Sequence, residues 1–411
     1  MRGILGLVSL LLLAWLLSEN RWRIPLRTVA AGVALQFALA LLFVKFPLAA
    51  SVFLLLNQGV DALQRATDAG TSFVFGYLGG GPLPFVETQP GASFIFAFRA
   101  LPLVLVISAL ASLLFYWGVL QVIVKGFAWL LRRAMGIGGA LGLGAAVHIF
   151  VGNIEAPLLV RPYLLRMERG ELFALMTCGM AGIAGTVMVL YATILGPVLP
   201  GALAHILIAS VISTPAGLAV AALMVPFGSD PEAEAQLSLG PPMLSAMDAL
   251  AKGTGDGIIF LANITAMLIV AITCVTLVNM ALSWIPPLGG AAITLQAIFA
   301  YAFRPVMWLI GVPGNETAAA ATLMGTKTVL NEFIAYVDMA HLPADQLSAQ
   351  TRLILTYAMC GFANFGSAGI MIGGMGAMCP ERRNDIVGLG LRSILSGTIA
   401  TCMSGAVVGL I

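Results

Sequence analysis

Charge is what this sequence has least of: 9% of its 411 residues are charged, where a soluble globular chain carries roughly 25%. No water-soluble surface can be built from so little. Basic runs and aromatic-interleaved basic patches are missing too, and the net charge is only +2, which excludes a nucleic-acid polymer as partner. Cysteine is scarce and solitary. Cys178, Cys274, Cys360, Cys379 and Cys402 fall singly in apolar stretches, without CxxC spacing or paired histidines. They read as small core hydrophobes, with no disulfide, metal centre or cofactor to expect. No A-x-A-like cleavage site follows the apolar run Gly3 to Leu17; Glu19, Arg21 and Arg23 follow instead. That run is expected to be a retained first span.

In excess is apolar length. The chain is 60% hydrophobic, and its mean hydropathy of +1.01 is spread over repeated stretches of about 20 residues. The expectation is an all-α polytopic membrane protein, one domain over residues 1–411, and not an enzyme. Eight spans are expected near residues 3–18, 27–45, 94–131, 171–198, 202–226, 256–285, 353–378 and 387–411. Segments 50–80 (broken by Asp61, Arg65 and Asp68), 138–167 and 294–340 do not read as simple spans and are expected to be interfacial or re-entrant.

Positively charged loops stay in the cytoplasm. Arg21, Arg23 and Arg27 put the first loop inside, and both termini are expected in the periplasm. Lys125, Arg132 and Arg133 precede segment 138–167, and Arg161, Arg166 and Arg169 lie at its far side. Anchored inside at both ends, that segment must enter and return: hairpin one. Arg382, Arg383 and Arg392 form the next basic loop, so 294–340 is approached from the periplasm, and 314–340 is hairpin two. Oppositely inserted hairpins, each followed by two spans, make an inverted repeat, the architecture of alternating access around a midplane site.

An acid at the bilayer centre costs roughly 2.5 to 3.5 kcal/mol even on the lenient insertion scale, so it marks a functional site by default. Hairpin one carries His148-Ile149-Phe150-Val151-Gly152-Asn153-Ile154-Glu155-Ala156-Pro157, which reads as a broken tip with exposed backbone. Hairpin two repeats the theme in Gly325 to Phe333, with Asn331 and Glu332. In Gly361-Phe362-Ala363-Asn364-Phe365-Gly366-Ser367, Asn364 and Ser367 stand three apart on one helical face. Ionised carboxylates accept only, which suits a ligand rich in hydroxyl or N–H groups, and Phe362 and Phe365 offer flat apolar faces. The structural alternative is that Glu155 and Glu332 pair with each other, with Lys327 or with backbone amides.

These residues resemble the concentrative nucleoside transporter family over nearly the whole chain. Thr71 to Gly76, Phe98 to Pro102, Gly152 to Pro157, Gly325 to Phe333 and Gly361 to Ser367 are similar to family landmarks, in family order. The resemblance implies ion-coupled secondary active uptake of nucleosides or nucleoside-like solutes across the inner membrane by a homotrimer. It implies scaffold helices at about 1–135 and 256–285 and a transport core at about 138–226 and 305–411. Substrate would sit between the hairpin tips and the partly unwound spans that follow them. Asn153, Ile154 and Glu155 would face the nucleobase, with Val187 nearby; Glu332, Asn364 and Ser367 would bind the ribose hydroxyls, with Phe362 near the ring.

The chain departs from the family in two places. The family tip reads Gly-Gln-Thr/Ser-Glu where this chain has Gly152-Asn153-Ile154-Glu155, which should alter base preference. Sodium-coupled relatives place asparagine and serine where this chain has His148 and Gly182, leaving Val151 and Ile183 to offer backbone carbonyls. The residual sodium site lacks two ligands, so the proton is the favoured coupling ion, with sodium the alternative. His148, with a reference pKa near 6.5, is a candidate carrier beside Glu155 and Glu332.

Other patterns are set aside. Gly253-Thr254-Gly255-Asp256 has the GxGD form of intramembrane aspartyl proteases but no partner aspartate. A passive channel would not need paired inverted hairpins. His205 and His341 support no metal centre, and the acidic 228–253 stretch is expected to be a solvated connector.

Overall fold

Without water, a backbone can meet its own hydrogen-bonding needs only in helices or closed barrels. The computed structural model describes residues 2–45, 47–87, 93–228, 243–286, 293–343 and 345–411, and among them there is no strand. The chain opens with α1 (Arg2–Leu16), α2 (Leu26–Lys45) and α3 (Pro47–Phe75), the last running through most of the 50–80 segment and followed by a 3-10 turn at Gly76–Gly79. Then come α4 (Phe96–Arg99), α5 (Leu103–Tyr116) and α6 (Val119–Met135). Hairpin one is α7 (Gly139–Val147) followed by α8 (Glu155–Leu159) and α9 (Arg161–Leu164).

After hairpin one the chain runs through α10 (Arg169–Ala181), α11 (Gly185–Leu195), α12 (Ala202–Met224), α13 (Ala246–Leu282) and α14 (Leu295–Leu309). Hairpin two is α15 (Thr317–Val329) and α16 (Glu332–His341); α17 (Ala349–Met359), α18 (Phe365–Met378) and α19 (Arg383–Leu410) complete the fold. Element order thus repeats: a hairpin, a span broken in the middle, a long helix. The breaks fall at 182–184 and 360–364.

Six stretches of the described residues are long and apolar enough to cross a membrane: α2, Phe96–Tyr116, Arg169–Leu195, α12, α13 and Pro380–Leu410. The helices α1 and α18 are apolar but shorter. Two expectations need correction. The third span, 94–131, is not one helix: the chain turns at Gly118, whose φ of 78° favours a residue without a Cβ, and α6 continues as an amphipathic helix with Arg132 and Arg133 in its last turn. The span expected from 256 begins at Ala246, because the Ser245 side chain accepts from the Asp248 amide at 3.1 Å and caps it there. Asp256 therefore lies well inside α13. Of the expected connector, residues 229–242, with Asp230, Glu232 and Glu234, lie outside the described residues.

The core is built on α12, with 89% of its apolar window buried, against 6% for α13. A helix apolar all round belongs at the centre, and α12 packs against α2, α10 and α19. By contrast α13 lies chiefly along α5. Small residues bring that pair together: a Cβ on Gly253 would lie 2.7 Å from the Ser108 carbonyl oxygen, and one on Gly257 3.1 Å from the Leu105 Cα. The first glycine of the GxGD pattern thus serves helix packing.

The basic loops converge at one end of the bundle. Glu19, after α1, pairs with Arg169 and Arg392, and Asp385 accepts from Arg169 and Arg382, each at 2.8 Å. Arg27 lies beside Gly136, where α6 gives way to hairpin one. At the other end, Ser348 donates through its amide and hydroxyl to Glu316 at 3.0 Å, joining the base of hairpin two to α17. Gln350 reaches the Gly409 carbonyl, and Leu410 packs on Gly3.

The two broken spans cross backbone to backbone. A Cβ on Gly361 would lie 2.7 Å from the Met180 carbonyl oxygen and 3.1 Å from the Ala181 carbonyl carbon. Gly361→Ala is therefore expected to destabilise the fold by about 1 to 3 kcal/mol, read as a lower unfolding midpoint in detergent. Gly369→Ala, whose Cβ would meet nothing within 4 Å, should leave the midpoint unchanged or raise it.

Candidate functional site

Each tip is shaped by residues that cap or free the backbone. In hairpin one, α7 ends at Val147 and the chain is unwound through the stretch before Glu155. The Glu155 carboxylate folds back over Gly152, where any Cβ would collide with it. In hairpin two, the Asn331 side chain caps α16 by accepting from the Ile334 amide at 2.9 Å, which sets Glu332 in the first turn. Asn364 repeats the device on α18, accepting from the Ser367 amide at 2.7 Å.

The breaks satisfy one another. The Phe362 amide donates to the Gly182 carbonyl and the Gly185 amide to the Phe150 carbonyl, both at 3.1 Å. Hairpin one, α11 and the α17–α18 break are thereby locked into one junction.

At that junction lies a cavity of about 660 Å³, within the range of small-molecule sites. Nine expected residues line it: Val151, Asn153, Ile154, Glu155, Val187, Glu332, Phe362, Asn364 and Ser367. Glu332 is 2% exposed. One of its oxygens accepts from the Tyr191 hydroxyl at 2.7 Å, the other from Asn364 Nδ2 at 3.0 Å. Asn153 Nδ2 donates to the Ser367 carbonyl at 3.4 Å, tying the first tip to α18. Asn364 is thus a cap preceding α18, not a residue on its helical face, and Ser367 meets it through its backbone amide.

The coupling-ion candidates divide. Val151 lines the cavity, while His148, Gly182 and Ile183 are not among its lining residues. The carbonyl oxygen of His148 is 3.6 Å from where a Gly182 Cβ would stand, and Ser210 Oγ is 3.8 Å from it. That Oγ accepts from the Ile183 amide at 3.3 Å. His148 is buried; its imidazole bonds to the Leu175 backbone, and Nε2 meets no partner among the described residues.

Family models for the Na+ dependent nucleoside transporter match residues 205–409 (C-terminus) and 5–78 (N-terminus), and a nucleoside-recognition model matches 97–198. An uncharacterized transporter of Haemophilus influenzae is 38% identical over 99% of this chain and 97% of its own length. The putative nucleoside permease NupX of Escherichia coli is 33% identical over 100% and 98%. The solved structure of CNTnw in an inward-facing substrate-bound state is 34% identical, with a TM-score of 0.89, covering 100% of this chain and 97% of that one.

Sequence reasoning missed three residues. Tyr191 reads as a core aromatic in an apolar helix, although it lies one turn after Val187 and so on the same face. Asp256 and Lys252, also one turn apart, line the same cavity from α13; the protease-like pattern had drawn attention to Asp256 for another reason. Tyr191→Phe removes a charge-assisted bond from a buried carboxylate. It is expected to cost about 1.5 to 3 kcal/mol, measured as the loss of unfolding free energy in detergent.

Proposed function

The chain belongs to the Na+-dependent nucleoside transporter family, and from that premise we propose that it takes up nucleosides across the inner membrane by proton symport. The observation that carries this reading is the buried Glu332 carboxylate, held by Tyr191 and Asn364 at the wall of the cavity. A fixed acceptor of this kind suits the vicinal hydroxyls of ribose. Asn153, Ile154 and Glu155, on the same cavity, take the base; Val187 and Phe362 supply apolar contact, and Ser367 adds a polar one.

Alternating access follows from two oppositely inserted re-entrant hairpins in an inverted repeat. Supporting it, the α1–α2 loop, the start of hairpin one and the start of α10 share the charged end, whereas the base of hairpin two sits with Gly3 and Leu410. Both termini then face the periplasm, opposite the basic loops. The sparsely buried α13, paired with α5, belongs to the static scaffold of a homotrimer, and the hairpins with their broken spans form the moving core.

The proton reading rests on the cation pocket. His148 replaces an oxygen ligand by an imidazole, Gly182 brings no hydroxyl, and the nearby Ser210 hydroxyl is engaged by the Ile183 amide. The alternative, a residual sodium site, would have to use backbone carbonyls such as that of Val151.

Uptake of labelled uridine into proteoliposomes tests the reading: accumulation is expected on an imposed proton gradient without sodium, and accumulation on sodium alone would overturn the proton assignment. Glu332→Gln should weaken competition by all ribose-bearing solutes, whereas Asn153→Gln with Ile154→Thr should change which bases compete. Identical competition profiles in both variants would sink the site assignment. A Cβ on Gly182 would have no contact closer than 3.5 Å, so the position has room for a Cβ, and His148→Asn with Gly182→Ser is expected to make uptake sodium-dependent.

A further inference from the structure

Lys327 is completely buried at 0% exposure in the last turn of α15, and its Nζ meets no hydrogen-bond partner among the described residues. A lone ammonium in such a place is strongly unfavourable unless a countercharge offsets it. The charge acting on it is the Glu332 carboxylate, just past the turn of hairpin two; its other polar neighbours are the thiols of Cys360 and Cys402. The relation is mutual, since Lys327 is the cation acting on Glu332. The pair does not close into a hydrogen bond, and Tyr191 and Asn364 each hold one of the two carboxylate oxygens.

The groups facing Glu332 are few. Tyr191 comes from α11, Tyr336 from its own helix, Asn364 and Cys360 from the α17–α18 break, and Glu155 stands across the cavity. From α13, Asp256 and Lys252 line the same cavity, but the cation that acts on Glu332 is Lys327. We propose that Lys327 is the built-in counter-ion that keeps Glu332 ionised, so that the cavity presents a hydroxyl acceptor without a bound metal cation supplying the positive charge. Lys327 acts through Glu332 and is a positioning residue; the inference rests on the reading that Glu332 binds the ribose of a nucleoside.

The test compares wild type, Lys327→Met, Lys327→Arg, Glu332→Gln and the double variant Lys327→Met/Glu332→Gln, each purified in detergent. Uridine binding is measured as pH is varied, and thermal midpoints are recorded without ligand. Without the ammonium, ionising the carboxyl requires a higher pH. The pH midpoint of binding in Lys327→Met should therefore lie about one to three pH units above that of wild type. Below that midpoint its affinity should fall roughly tenfold for every pH unit and return as pH rises. Lys327→Arg should restore the wild-type profile.

The stability readout needs no substrate. Removing either partner leaves the other charge uncompensated, so the double variant should lose less in midpoint than the sum of the single variants. Additive losses, or a binding midpoint in Lys327→Met that stays at the wild-type pH while affinity drops uniformly, would overturn the proposal. If wild type binds no uridine, the ribose reading fails, and the stability cycle alone decides whether Lys327 and Glu332 are a pair.

Discussion

Breaking a helix inside an apolar slab frees N–H and C=O groups that no water can reach, each costing several kcal/mol if left unmet. This structure keeps two such breaks by making them each other's partners. The freed carbonyl of Gly182 takes the amide of Phe362, and the tip carbonyl of Phe150 takes the amide of Gly185. The first bond joins the two breaks directly and the second joins the first tip to α11, so segments from both halves of the chain are held together. Glycine at 361 follows directly, since only a bare backbone can lie that close to the Met180 carbonyl.

With the breaks fixed, the carboxylate follows. Two asparagines of the second repeat, Asn331 and Asn364, cap the helices that begin beside the cavity, and the second also has an amide left for Glu332. Tyr191 completes the grip from α11. With both oxygens engaged in a dry setting, the carboxylate direction is set before any ligand arrives, so on the proposed reading little ordering cost remains at binding.

Much of this was legible in the sequence because polar residues are conspicuous against an apolar background. Asn153, Glu155, Glu332 and Asn364 stood out for that reason, and the structure brings them to one cavity. What was not legible was either apolar in appearance or non-local. Gly182-Ile183-Ala184 looks like ordinary span, and its break exists because Phe362, far along the chain, supplies a partner. Tyr191 looks like core until Glu332 is seen beside it. The start of α13 was lost because the Ser245–Asp248 cap sits in a polar stretch that reads as loop, and the Gly118 turn because hydropathy averages across a single residue.

On the proposed reading, the coupling ion turns on how many free oxygens the chain offers around Gly182. A sodium ion gains by replacing several water oxygens at once, whereas a proton needs a single basic atom. Near Gly182 one carbonyl lone pair is taken by Phe362 and the Ser210 hydroxyl by Ile183, while the Nε2 of His148 has no partner among the described residues. Moving one charge down about 100 mV yields roughly 2.3 kcal/mol, and at about 1.4 kcal/mol per decade that sustains some fiftyfold accumulation. On the proposed reading a single proton per solute is sufficient. On the proposed reading, a site with His148 and Gly182 in place of two oxygen ligands suits a proton, which needs one basic atom, better than an ion that needs several oxygens at once.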